Sequence, residues 1–446
     1  MKTMLRVLPA KANDRASVEI YRPFFLAGIL CVLTVGCLLG AVALLGIGRS
    51  GAYTSAEWAP YILAHANSQL YGWVGFFVMG FALQQHAPSL ARLRLFYRFA
   101  WASLVLMALG IALRFVAEPM VHVDRDIWLP VGVLSALLQA VAVGLFMFNT
   151  SYTRHRTGAG LIWQTRFVFG SLFWLMVVAI AEPFAFAYAH QADPINSTMF
   201  VALWFPVLRE AQFLGFVAMM IFGVSLVKLN SCFGVRKADE RLGRTGFVLW
   251  MVGLVLRMAG WLFAFDHQFD QSSQLLYFAG GYTTAVAALI LVKASGIFGT
   301  IEEPTRSHKF VRGAFAWLIV AGGMLMLEPA HLRTIGAPFS HAYIGAIRHA
   351  VTVGFISQMI LGFGAHVVSR MNDLDDASLA PLWSVFVLLN LGNLARVALE
   401  VATDYTPTAY APMGITGFIE LVALAIWAVH VARPMLARKK TNLAYA

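Results

Sequence analysis

The feature that most constrains this chain is a train of apolar stretches, separated by short polar breaks, that runs along its whole length. Each is long enough, at about 20 residues, to cross a hydrocarbon core about 30 Å thick. Twelve spans can be read, near 24–47, 58–85, 95–117, 128–150, 168–189, 200–228, 246–265, 273–297, 312–330, 341–368, 380–402 and 413–433. Of the 446 residues 59% are hydrophobic and 12% charged, whereas a soluble chain carries roughly a quarter charged residues. Lipid is therefore the main solvent.

The loops are asymmetric in Lys and Arg. Lys2, Arg6, Lys11, Arg15 and Arg22, then Arg92, Arg94 and Arg98, then Arg154, Arg156 and Arg166 fall on one side. Arg236, Lys237, Arg241 and Arg244, then Arg306, Lys309 and Arg312, then Arg433, Arg438, Lys439 and Lys440 continue that side, and the alternate loops hold only Arg49, Arg125 and Arg333. Basic loops resist translocation, so both termini are expected in the cytoplasm. The net charge of +11 is then a topology signal and calls for no nucleic-acid partner. The first 22 residues lack the short apolar core and small-residue cleavage site of a signal peptide, so the first span is expected to stay as an anchor. Cys31, Cys37 and Cys232 have no paired or metal-ligand spacing and read as packing residues.

An internal repeat organises the spans. The second reads GWVGFFVMG from Gly72, the sixth GFVAMMIFG from Gly215 and the tenth GFISQMILG from Gly354, at periods of 143 and 139 residues. The following spans carry Gly110 with Arg114, Gly253 with Arg257 and Gly392 with Arg396 at identical offsets, and two copies add Glu118 and Glu400 four residues on. The glycines read as close-packing points between membrane helices. The expected fold is an all-α polytopic membrane protein of about twelve transmembrane helices. They form three tandem four-helix repeats, about 22–150, 166–298 and 310–434, in a pseudo-threefold arrangement. Such a repeat argues against a transporter of two six-helix halves.

Intramembrane polar residues cost several kcal/mol unless paired or facing a cavity, so their positions point to function. Asn67, Glu210 and His349 lie five residues before the repeat glycines, with His65, Arg209 and Arg348 beside them. Arg114, Arg257 and Arg396 fall at a similar, outer depth. That mixture of imidazoles and guanidiniums suits an anionic or metal-containing ligand, although Arg114 with Glu118 and Arg396 with Glu400 also read as simple i,i+4 pairs. His331 and His341 bracket the outer loop before the tenth span, which makes His341 a further metal candidate. Glu118-Pro119, Glu182-Pro183 and Glu328-Pro329 read as helix terminations. Glu210 and Glu420 have no such explanation and suit a proton or ion pathway.

Arg22-Pro23-Phe24-Phe25, His65-Ala66-Asn67-Ser68-Gln69-Leu70-Tyr71-Gly72-Trp73 and Arg348-His349-Ala350-Val351-Thr352-Val353-Gly354 resemble the NnrS family. These are bacterial inner-membrane proteins with haem and copper, linked to the nitric oxide response. The resemblance spans the first helix to Arg433-Pro434 on few, short motifs, and twelve helices in a threefold arrangement also look like the catalytic subunit of haem-copper oxidases. It implies haem, with His65 and His349 as axial metal ligands and Arg114, Arg348 and Arg396 as partners of the propionates. Nitric oxide or its iron complexes would be the partners. Asn67 and Ser68 replace the family motif's second His and its Glu, and Met371 stands where a Gly-His pair is expected to begin, which weakens the expectation of copper. The sixth and seventh spans hold no deep histidine, which argues against oxygen or nitric oxide reduction of the oxidase type. Two other readings stand beside this one: a secondary transporter or channel for a small anion, with Glu210 and Glu420 carrying protons, and a cofactor-free membrane assembly factor.

Overall fold

The structure is a computed structural model that describes residues 19–53, 57–86, 93–157, 161–301, 304–374 and 381–437, with only the backbone described for 93 and 154–157. Among the basic residues that set the expected topology, Lys2, Arg6, Lys11, Arg15, Arg92, Arg438, Lys439 and Lys440 lie outside the described residues, as do the side chains of Arg154 and Arg156.

The described chain is all-α, with no strand. Its long helices are α1 (Tyr21–Ser50), α2 (59–85), α3 (Leu93–Met120), α4 (Arg125–Thr157), α5 (Thr165–Ala189) and α6 (Pro194–Phe233). They continue as α7 (Glu240–Asp266), α8 (Gln274–Ser295), α9 (His308–Ile335), α10 (His341–Met371), α11 (Trp383–Ala402) and α12 (Pro407–Leu436). Eleven are long and apolar enough to cross a membrane. The other, α2, is unbroken helix whose His65, Asn67, Ser68 and Gln69 dilute its hydropathy. The outer surface is lined by exposed Leu30, Val105, Phe173, Phe184, Leu391 and Val429, an apolar belt that only lipid or a partner can cover. This is a polytopic membrane protein.

The same contacts recur in each four-helix unit. The first helix packs on the second, the second on the third and the third on the fourth; α4 then packs on α5, α8 on α9 and α12 back on α1. In the most apolar windows of α6 and α10, 72% of residues are buried against 39–50% in the other spans measured, and these two helices touch each other; with α2 they make the centre. The repeat glycines explain how the units close up. A Cβ at Gly72, Gly215 or Gly354 would strike Cys31, Trp174 or Trp317 on the first helix of its own unit. One at Gly110, Gly253 or Gly392 would meet Gln139, Thr284 or Glu420 on the fourth.

The expectation that Glu182-Pro183 and Glu328-Pro329 end their helices is corrected. Both prolines lie inside helices that run on to Ala189 and Ile335, which membrane helices tolerate because neighbouring groups re-satisfy the freed backbone. The glutamates are there for another purpose, described below. Glu118-Pro119 does close α3, which ends at Met120.

Candidate functional site: a cavity between the first and third units

Each central helix contains a wider, π-helical segment at the same place in its repeat: Ser68–Gly75 in α2, Ala211–Ala218 in α6 and Ala350–Ser357 in α10. Each begins immediately after Asn67, Glu210 or His349. Widened turns release carbonyls from the regular ladder and often mark functional positions. Here side chains take them up: Trp250 Nε1 donates to the Leu214 carbonyl at 3.0 Å and Ser171 Oγ to that of Phe216 at 2.6 Å. The three repeat-equivalent residues differ in their partners. Asn67 exchanges two hydrogen bonds with Gln139, at 3.1 and 2.8 Å. Glu210 lies 3.2 Å from Arg257, and His349 Nδ1 lies 3.2 Å from Glu400.

A cavity of about 680 Å³ opens among α1, α2, α6, α10, α11 and α12, within the usual range for small-molecule sites. His65, His349, Arg348, Arg396 and His341 all line it, together with Arg209, Glu210, Glu400 and Glu420. Leu70, Trp73, Val74, Val217, Ile356 and Leu424 provide apolar wall, and Tyr53, Phe269 and Phe339 lie at its end away from the termini. The sequence-derived polar layer is therefore one place, with three exceptions, one of them Arg257, which turns to Glu210, Glu328 and Tyr277. Asn67 is buried against Gln139 instead. Arg114 is not on the cavity: it is ion-paired with Glu118, lies 3.6 Å from Glu182, and stacks over Phe186 at 4.4 Å.

The two histidines are held in similar ways. His65 Nδ1 donates to the Gly36 carbonyl at 2.8 Å, and His349 Nδ1 to that of Gly345 at 2.9 Å. A carbonyl can only accept, so in both rings the proton sits on Nδ1 and Nε2 keeps its lone pair. Neither Nε2 has a partner among the described residues. Gly36 can offer its carbonyl because α1 carries its own π-helical turn, Val32–Gly36, ending with Gly36 at ψ −107°. The His65 ring packs against Gly40, where a Cβ would come within 2.4 Å of it. Nothing in the sequence marks Gly36 or Gly40, since both act through packing between helices distant in the chain.

A histidine whose Nδ1–H is fixed by a carbonyl is the usual arrangement of a metal-binding imidazole, because the hydrogen bond sets tautomer and ring orientation. The residues present thus fit a haem held from α2 and α10. Among the described residues no three His, Cys, Asp or Glu side chains converge as a metal site, and His341, beside Phe339 with ring centroids 4.5 Å apart, has no second histidine close to it. Cys31, Cys37 and Cys232 are free thiols. A scan against protein-family models returned no match for this chain, and a search of curated proteins returned none either.

Proposed function

We propose that this protein binds haem in the cavity between α2 and α10 and serves in the nitric oxide response, as the resemblance to the NnrS family implies. The observation that carries the reading is the matched pair His65 and His349: both line one cavity, and both give Nδ1–H to a main-chain carbonyl and keep Nε2 free. Imidazole nitrogen is a standard ligand of haem iron, and the group would supply a redox-active metal centre. The chain's own residues do the rest of the work. Gly36 and Gly345 orient the rings, Glu400 stands 3.2 Å from His349 Nδ1, and Arg348 and Arg396 offer cationic partners at the cavity wall.

The membrane would be the bacterial inner membrane with both termini in the cytoplasm, a reading supported by the basic residues gathered on the termini side. An absorption spectrum of the purified full-length protein, after expression with haem supply, tests the proposal. A Soret band that copurifies with the protein is the expected result. A colourless protein that also fails to take up added haem would remove this reading and leave the small-anion transporter, for which the buried and unpartnered Glu420 Oε1 in the cavity is the supporting observation.

A further inference from the structure

The three units meet at three junctions, and two of them carry an ion pair from the repeat arginine to the next unit that the third lacks. Where the first unit meets the second, Arg114 has two carboxylates: Glu118 from its own helix, and Glu182 from α5, 3.6 Å from Nη1. Where the second meets the third, Arg257 again has two: Glu210 at 3.2 Å, and Glu328 from α9, 3.4 Å from Nη1. At each junction the guanidinium Nη1 therefore reaches across to a glutamate on the first helix of the next unit. Where the third unit meets the first, the corresponding helix is α1, and α1 contains no Asp or Glu at all. Arg396 is ion-paired only with Glu400, at 3.0 Å through Nη2, and both its Nε and its Nη1 are buried without a hydrogen bond, whereas Arg114 and Arg257 leave one such atom each, Nη1 and Nε; Glu420 on α12 lies within electrostatic reach but makes no ion pair with it. Arg396 is 5% exposed. Among the three repeat arginines it alone lines the cavity.

A second arginine points the same way. Arg209 donates to Gln212 at 2.5 Å, and Gln212 donates to Glu182 at 2.7 Å. Its repeat equivalent Arg348 has Val351 where Gln212 would stand, lines the cavity, and makes no side-chain hydrogen bond or ion pair among the described residues. Buried guanidinium N–H groups without acceptors cost free energy that a bound anion would recover, and a planar guanidinium matches a carboxylate best. From this asymmetry we propose that the cavity binds a ligand carboxylate at Arg396 and Arg348, which takes at the third junction the place that Glu182 and Glu328 take at the other two. The ligand is an amphiphile, because the wall beyond the arginines is Leu70, Trp73, Val74, Ile356 and Leu424. Glu420 shares this wall, packed against Gly392 with its Oε1 unpartnered, and its carboxylate works against the incoming anion.

Two sources of such a carboxylate exist, a haem propionate and a free amphiphilic acid, and only the first rests on the haem reading. The test titrates detergent-solubilised full-length protein with haemin and haemin dimethyl ester, followed at the Soret band, and haem-free protein with benzoate and benzamide, followed by thermal shift. Expected is roughly tenfold or greater weakening when the acid becomes ester or amide, a similar weakening of the acid alone in Arg348→Gln, and tighter acid binding in Glu420→Gln. Arg348 makes no direct hydrogen bond or ion pair among the described residues, only longer-range attraction to Glu210 and Glu400, so this variant carries less folding risk than Arg396→Gln. Discrimination in the haem arm identifies a propionate, and discrimination in the benzoate arm a free acid. If haemin and its ester bind alike and benzoate does not bind, the inference is overturned while the haem reading stands. It is equally overturned if Arg348→Gln leaves acid binding unchanged, or if Glu420→Gln weakens it, which would mark the site as one for cations.

Discussion

Replacing Arg257 with Gln should destabilise the protein far more than removing the polar contact at the equivalent place in the first repeat. Arg257 is 2% exposed and holds Glu210 at 3.2 Å, Glu328 at 3.4 Å and the Tyr277 hydroxyl at 2.6 Å, with the Tyr277 ring 4.4 Å from its carbon centre. Its removal leaves the buried Glu328 and the partly buried Glu210 without their ion-pair partner, and breaking a buried ion pair from one side costs about 3–5 kcal/mol. In the first repeat the position of Glu210 is taken by Asn67, in a neutral pair with Gln139, and hydrogen bonds between membrane helices average only about 0.6 kcal/mol, with a maximum near 1.7. Gln139→Leu should therefore cost about 1 kcal/mol, and the two variants should differ by at least about 2 kcal/mol, some thirtyfold in the unfolding constant. Reversible unfolding in mixed detergent micelles of increasing SDS fraction measures both. Adding Glu328→Gln to Arg257→Gln should return part of the loss. If Arg257→Gln were no more harmful than Gln139→Leu, the ion-paired junctions would not be what holds the units together.

Three further outcomes follow from the same geometry. Gly40→Ala should shift or weaken the Soret band of haem-loaded protein while leaving its membrane insertion intact, because the added methyl occupies the place of the His65 ring; an unchanged spectrum would dissociate His65 from the haem. Reporter fusions at Asp193 and at Ala446 should give opposite signals for cytoplasmic exposure, and matching signals would overturn the topology. An experimental structure should superpose the three units by rotation with the π-helical segments at Ser68, Ala211 and Ala350 in register, whereas segments displaced from one another would break the repeat.

Much of the fold was legible because the bilayer enforces it. Helix number and approximate boundaries follow from apolar length, and the recurring glycines mark the close contacts between neighbouring helices. The second span was legible by its place in the repeat even though His65, Asn67, Ser68 and Gln69 lower its hydropathy. The site was legible in part: His65, His349, Arg348, Arg396 and His341 stand out as polar residues at one depth, and they do share a cavity. Depth alone does not say which way a side chain turns, so Arg114 and Asn67 were grouped with residues they do not meet. The roles of Glu182 and Glu328 were hidden for a similar reason. The following prolines suggested helix ends, whereas their partners Arg114 and Arg257 lie 68 and 71 residues away in the chain. The incomplete third junction could be seen only once those two pairs were known, because its signal is the lack of an acid in α1.

The most direct test of the haem proposal is electron paramagnetic resonance of oxidised, haem-loaded protein, compared with His65→Ala and His349→Ala. Two imidazoles on one iron predict a low-spin signal in the parent that turns high-spin, or disappears with the haem, in each variant separately. A parent signal that both single variants preserve would show that these histidines do not hold the iron, and would contradict the account at its centre.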